Sequence, residues 1–194
     1  MYATLGNHDT YPLDSFSGYT PQENEALTAW APAWDVFTDS AKERKTFIDF
    51  GYYSTPLTFK NGTLIGETKS KLISFNSNFC FFNNFHQYAQ FKDPGDIFKW
   101  LESELLELEK VGGAAIMLSH VPNVDECNRQ FGKRWHALMD RFQHVVRWGM
   151  AAHVHSQMWQ VQRDVIGKQP IGVNFIVGSV TPYQVAGYGK QPNF

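Results

Sequence analysis

The chain has 194 residues, a mass of 22.2 kDa and a formal net charge of −2, with 43% hydrophobic and 19% charged residues. That composition belongs to a folded globular domain rather than a disordered chain, and at this size roughly 70% of the unfolded surface can be buried. Near-balanced charge and a pI near 6.4 exclude the basic footprint of a nucleic-acid binder, and no apolar run approaches the ~20 residues of a membrane helix.

In chain order, Tyr2 to Leu5 reads as a short strand ended by Gly6. It carries neither the basic nor the apolar region of a signal peptide, so none is expected in this chain. A loop with Pro12, Gly18 and Pro21 follows, and Glu23 to Phe37 reads as a helix broken at Pro32. Phe50 to Thr58, rich in Tyr and Thr, predicts a strand. Asn61-Gly62 signals a turn, and Asn61-Gly62-Thr63 is also the one glycosylation sequon. Lys71 to Phe75 is a further strand.

Pro94 opens a helix with Ile97, Leu101, Leu105 and Leu108 on one face, and Gly112-Gly113 ends it. Ala114 to Leu118 is a short buried strand. Phe131, Trp135, Leu138 and Phe142 mark a second amphipathic helix, and Val146 to Ala151 the strand after it. Met158 to Arg163 and Ile171 to Val177 form an antiparallel pair at the C-terminal edge. This alternation of strands and helices predicts an α/β layered domain. Two cysteines, Cys80 and Cys127, are too few for a disulfide framework or a four-thiolate zinc site, leaving one disulfide or two free thiols.

Three apolar runs each end in side chains able to bind a metal: Gly6-Asn7-His8-Asp9, Ser119-His120, and Ala152-His153-Val154-His155. Open α/β sheets place ligands at the carboxyl ends of their strands, so parallel neighbours would bring Asn7, His120, His153 and His155 into one crevice. In an extended segment His153 and His155 would project to the same side. Imidazole nitrogens with an amide oxygen are the mixed donor set of a two-metal hydrolytic centre. His8 is the candidate proton donor to a leaving alkoxide. His86, His136 and His144 lack such company; His136 and His144 read as helix-surface or packing residues.

These blocks resemble those of the calcineurin-like metallophosphoesterases, and within them the acid sphingomyelinase branch. Supporting segments are Phe50-Gly51-Tyr52-Tyr53-Ser54, Leu72 to Cys80, Asn84-Phe85 with Asp93-Pro94, Trp100-Leu101 with Glu104-Leu105, His120-Val121-Pro122, and Gly178 to Tyr183. The resemblance implies a four-layer sandwich of mixed β-sheets flanked by helices. It implies two zinc ions, with Asn7, His120 and His153 ligating one and His155 the other, and His8 assisting the leaving group. The implied substrate is a phosphodiester, a choline-headed sphingolipid or a relative of one, with peripheral membrane contact and a secreted or lysosomal location. It also implies a Cys80–Cys127 disulfide and a glycan at Asn61.

The departures carry expectations of their own. The family's Asp-x-His and Gly-Asp blocks, which precede Asn-His and supply the bridging carboxylate, have no counterpart here. Asp9, Asp14 and Asp35 follow Asn7, in the wrong order to replace them. Residues 1–194 are therefore expected to be one phosphoesterase domain lacking its N-terminal metal-binding strands and its last C-terminal strand. Such a chain should hold one metal or none and turn over poorly; the alternative is a non-catalytic fragment or pseudoenzyme that binds lipid headgroups or a protein. Ala152 replaces a family Gly, a substitution that would strain the turn if that position had positive φ. Asn123-Val124 replaces the Pro-Gly that borders the headgroup.

Overall fold

The computed structural model describes residues 2–18, 25–34, 41–57, 70–89, 92–122 and 126–180. Helices α1 (Glu25–Trp34) and α2 (Ala41–Phe50) precede strands β1 (Tyr53–Pro56) and β2 (Ser70–Ser74). Then come α3 (Ile97–Lys110), β3 (Ala114–Leu118), α4 (Arg129–Arg141), β4 (Val146–Ala151), β5 (Met158–Arg163) and β6 (Pro170–Ile176). The six strands form one mixed sheet in the order β1-β2-β3-β4-β6-β5. Its centre, β2-β3-β4-β6, is parallel, and β1 and β5 are antiparallel edges. This is the α/β class the sequence predicts.

Helix α3 forms because Ile97, Leu101, Leu105 and Leu108 recur at helical spacing, and all four are buried. The Asp93 carboxylate accepts from the N–H groups of Phe98 and Lys99 (3.0 and 2.9 Å), satisfying donors the first turn leaves free. At the other end Gly112 takes φ +63°, the left-handed turn that glycine adopts without penalty. Helix α4 buries Phe131, Trp135 and Met139; Trp135 stacks on Phe75 at 4.4 Å. One polar residue breaks the apolar face of α3. Glu104 is 1% exposed and accepts from Ser54 and Lys71, both at 2.7 Å, and from Lys42 at 3.4 Å. Burial alone would raise its pKa, but these partners outweigh burial and hold it below the usual carboxylate range.

Several local expectations are corrected. Tyr2 to Leu5 belongs to no strand. Among the described residues it has no ladder partner, and Ala3 is tied instead to the Tyr53 hydroxyl and to Ser74. Pro32 does not break α1 but lies in its last turn, where only one helical hydrogen bond is lost. Glu23 and Phe37 lie outside the described residues. Phe50 ends α2 rather than opening a strand, and α2 itself has no clear sequence signal because Phe47 is its one fully buried residue. Pro94 opens a 3-10 turn, Pro94–Asp96, and the α-helix starts after it. The sequon at Asn61 lies outside the described residues.

One face of the sheet is uneven. Register and alternation put Leu118, Met150, Phe175 and Trp159 in one row, and Ile116, Trp148, Val173 and Val161 in the next, all on the same side. None of the eight is buried; Trp159 is 67% and Val161 53% exposed. On that same side at the β1-β2 end, Tyr53, Thr55, Leu72 and Ser74 are buried, beneath the segment that contains Ala3. Thr4, beside Ala3, has a buried hydroxyl with no hydrogen-bond partner among the described residues.

Candidate metal centre

Strands β3 and β4 run parallel, and their ladder continues past their ends. Ser119 N–H donates to Met150 C=O and Ala152 N–H to His120 C=O (3.0 and 2.9 Å), which sets His120 and His153 side by side. Asn7 arrives from the other direction on a 3-10 turn, Asn7–Asp9. Asp9 closes that turn by accepting from Gly6 N–H at 2.8 Å. A Cβ on Gly6 would stand 3.1 Å from the His120 ring, so a glycine lets this backbone come close to the imidazole.

Three donor atoms converge. His120 Nε2 lies 2.9 Å from Asn7 Oδ1, His153 Nδ1 lies 3.2 Å from the same oxygen, and the two nitrogens are 3.3 Å apart. Metal–nitrogen and metal–oxygen bonds of about 2.0–2.2 Å require donors spaced by roughly 3.0–3.5 Å in tetrahedral or octahedral geometry. The triangle has the size of one face of such a shell, so these residues fit a divalent cation. Among the described residues no cluster of three or more His, Cys, Asp or Glu gathers at metal-binding distance; the third donor here is an amide oxygen.

The electrostatics agree with that fit. Burial, then the charges of His153, His8 and His155, lowers the pKa of His120 to about 4. His153 is lowered as well, by burial first and then by His155, with Asp14 pulling the other way. Both rings are therefore neutral near pH 7 and keep a lone pair for a cation. Phe81 packs edge-on against His153 at 4.8 Å. Cys80, next to Phe81, forms a disulfide with Cys127, with Cα atoms 4.7 Å apart. That pairing resolves the choice the sequence left open.

His155 is partly buried and close enough to act electrostatically on both rings, but it is not a corner of the triangle. Its backbone corrects one expectation. The His-x-His segment is not extended, since His153 (φ 68°) and His155 (φ 60°) are both left-handed. Ala152 is not among the positive-φ residues, so the strain a positive φ would bring there does not arise. His8 is exposed, in the same turn as Asn7. Of the remaining histidines, His86 lies 3.0 Å from Ser15 Oγ, His144 lies 2.7 Å from Glu109, and His136 meets the Arg163 carbonyl.

Sequence reasoning missed Asp14. Its carboxylate accepts from Asn7 Nδ2 at 2.7 Å, and it lines a cavity of about 360 Å³ with Leu13, Ser15, Asn83, Phe85, His86 and Ala89. Nothing in its spacing from Asn7 marks it, because the contact depends on how the loop folds back.

No family model matches the chain. Over 95% of its length it is 29% identical to sphingomyelin phosphodiesterase 1 of Caenorhabditis elegans, covering 32% of that protein. It is 26% identical to human sphingomyelin phosphodiesterase and 25% identical to human cyclic GMP-AMP phosphodiesterase, over 94% of the chain in each case and 28% and 39% of those proteins. The chain thus spans about a third of the length of the curated relatives it matches. Among solved structures, a dimetal phosphatase from Danio rerio superposes with a TM-score of 0.50 and 13% identity, covering 92% of this chain and 60% of that one. Over most of its length the chain is thus similar to sphingomyelin phosphodiesterases, and it shares its α/β fold with a dimetal phosphatase.

Proposed function

We propose that residues 1–194 are the C-terminal share of the catalytic domain of a metal-dependent phosphodiester hydrolase. The observation that carries this reading is the Asn7–His120–His153 donor triangle at the ends of two parallel strands. Asn7, His120 and His153 would hold one cation, and His155 would serve a second. The donor set of two nitrogens and one oxygen suits zinc. When bound, the metal polarises the phosphodiester and makes a water nucleophilic near neutral pH. His8, exposed in the same turn as Asn7, is the group assigned to give a proton to the departing alkoxide. Phe81 and the Cys80–Cys127 disulfide hold His153 in place.

The uneven sheet face supports the partial-domain reading. Two rows of apolar side chains are only partly covered among the described residues, and Trp159, Val161 and Trp148 are exposed, beside a segment without a ladder. A second β layer, pairing with Tyr2 to Leu5 and supplied by polypeptide outside residues 1–194, would cover those rows and bring carboxylates to the metals. Without that layer the chain binds one metal or none and turns over slowly; its fallback role is a non-catalytic binding module. The sphingomyelin phosphodiesterases among the relatives favour a sphingolipid substrate. The relative named for cyclic GMP-AMP favours a nucleotide phosphodiester as the second reading. A secreted or lysosomal setting, with a glycan at Asn61, accompanies the first.

Two measurements test this. Elemental analysis of the purified chain is expected to find one zinc or less, unchanged in His155→Ala. Two ions per chain would mean that the centre is complete without further strands. Zinc-supplemented assays with sphingomyelin, cyclic GMP-AMP and bis(4-nitrophenyl) phosphate then rank the substrates. Rapid turnover of any of them by this chain would overturn the impairment, and turnover unaffected by Asn7→Ala would overturn the centre.

A further inference from the structure

Asn7 can present either end of its amide to the two imidazoles, since the oxygen and nitrogen ends differ by a half-turn of one torsion. Only the oxygen can ligate a cation. What selects it is Asp14. Its Oδ1 accepts from Asn7 Nδ2 at 2.7 Å, and its backbone N–H donates to the Asn7 carbonyl at 3.1 Å. Thr10 Oγ1 donates to that same carbonyl at 3.1 Å. Asp14 adopts φ 62°, a conformation that a short polar side chain tolerates better than most. The eight-residue arc from Asn7 to Asp14 therefore closes on Asn7 at two points, backbone and amide.

We propose that Asp14 is the positioning residue of the metal centre, acting through Asn7; this rests on the reading of the Asn7–His120–His153 triangle as a cation site. A carboxylate accepts hydrogen bonds and donates none, so it binds the amide nitrogen and repels the amide oxygen. The flipped amide, with its N–H₂ group facing the histidines, is thereby disfavoured, and Oδ1 stays at the triangle with no metal present. The charge behind the amide also polarises it and makes the oxygen a better donor.

The test is cobalt(II) titration of the full chain, followed by d–d absorption. Asp14→Gly keeps the left-handed backbone and its N–H but deletes the carboxylate. It is expected to weaken cobalt binding by about 10–100-fold, the usual range for a lost outer-shell partner. Asp14→Asn, whose amide oxygen can still accept from Asn7 Nδ2, is expected to bind much more tightly than Asp14→Gly. The deciding comparison uses Asn7→Asp, whose two carboxylate oxygens are equivalent and need no selection. In that background Asp14→Gly is expected to cost nothing or to tighten binding. An equal loss in both backgrounds would mean that Asp14 supports only the fold, and no loss in either would overturn the proposal outright.

Failure of the triangle itself looks different, because Asn7→Ala would then bind cobalt like the unaltered chain. A readout free of metal is the ¹⁵N–¹H pair of the Asn7 side-chain amide. Its hydrogens are expected to exchange slowly in the unaltered chain and quickly in Asp14→Gly, and equal exchange in both would also sink the proposal.

Discussion

At the scale of single residues, His120 and His153 link the centre to acid stability. Both have folded-state pKa values below that of an unfolded histidine, about 4 in the case of His120. Between about pH 6.5, where an unfolded histidine titrates, and pH 4, the unfolded chain binds more protons, so acidification favours unfolding. The urea midpoint of the metal-free protein is expected to fall as pH drops through that window, and less steeply in His120→Ala. An identical slope in the variant would remove His120 as the cause. His8 is different: it is exposed and is not one of the three corners of the triangle. Once the centre is complete, His8→Ala should lower kcat by about 10²–10⁴-fold, the range for a lost general acid, while leaving metal content intact. Metal loss in that variant would make His8 a structural residue instead.

At the scale of elements, α3 is tied to the sheet by one buried carboxylate. Lys71→Met would leave Glu104 with Ser54 and the exposed Lys42 as partners, and breaking a buried pair in this way costs about 3 kcal/mol. Because the folded pKa of Glu104 is depressed, its contribution is present above the unfolded carboxylate pKa and lost as pH falls through the folded value. The Lys71→Met penalty is therefore expected to be large at pH 7 and to shrink as Glu104 is protonated. A pH-independent penalty would assign it to packing alone.

The same scale shows what the sequence makes legible. Helices α3 and α4 and strands β3 to β6 announce themselves because their apolar spacing is regular and their boundaries carry Pro, Gly or Asn. His120 and His153 were readable because each closes a strand and strand ends converge in such sheets; Asn7 closes an apolar run that forms no strand and reaches them from a 3-10 turn. Helix α2 was not readable, since a mostly charged segment buries only Phe47 completely. Nor were the turns at His153 and His155, because left-handed backbone at a histidine has no local signature. Tyr2 to Leu5 has a strand's composition, but a strand needs a neighbour.

At the scale of the whole molecule, the disulfide and the open sheet face act in opposite directions. Closing the loop between residues 80 and 127 removes about 4 kcal/mol worth of unfolded-state freedom in the chain-entropy view. Reduction, or Cys127→Ser, is expected to lower the melting temperature and to loosen Phe81 from His153, weakening cobalt binding as well. Retained affinity after reduction would confine the disulfide to global stability. The apolar rows are a liability for a chain on its own. Trp159→Lys with Val161→Thr should reduce self-association in sedimentation velocity without lowering the melting temperature. A large drop in melting temperature would instead mean that those side chains are already packed.

The left-handed backbone at His153 and His155 carries one more consequence. For residues other than glycine that conformation costs about 1 kcal/mol or more at each position. Glycine at either site would relieve that strain, although at His153 the gain is offset by loss of the ring's packing against Phe81. On the proposed function, the imidazoles are what keep histidine at these two positions. A lineage released from chemistry is expected to drift to glycine or asparagine at these two positions before it loses any core residue, which makes them an early marker of a phosphodiesterase turning into a mere binding module.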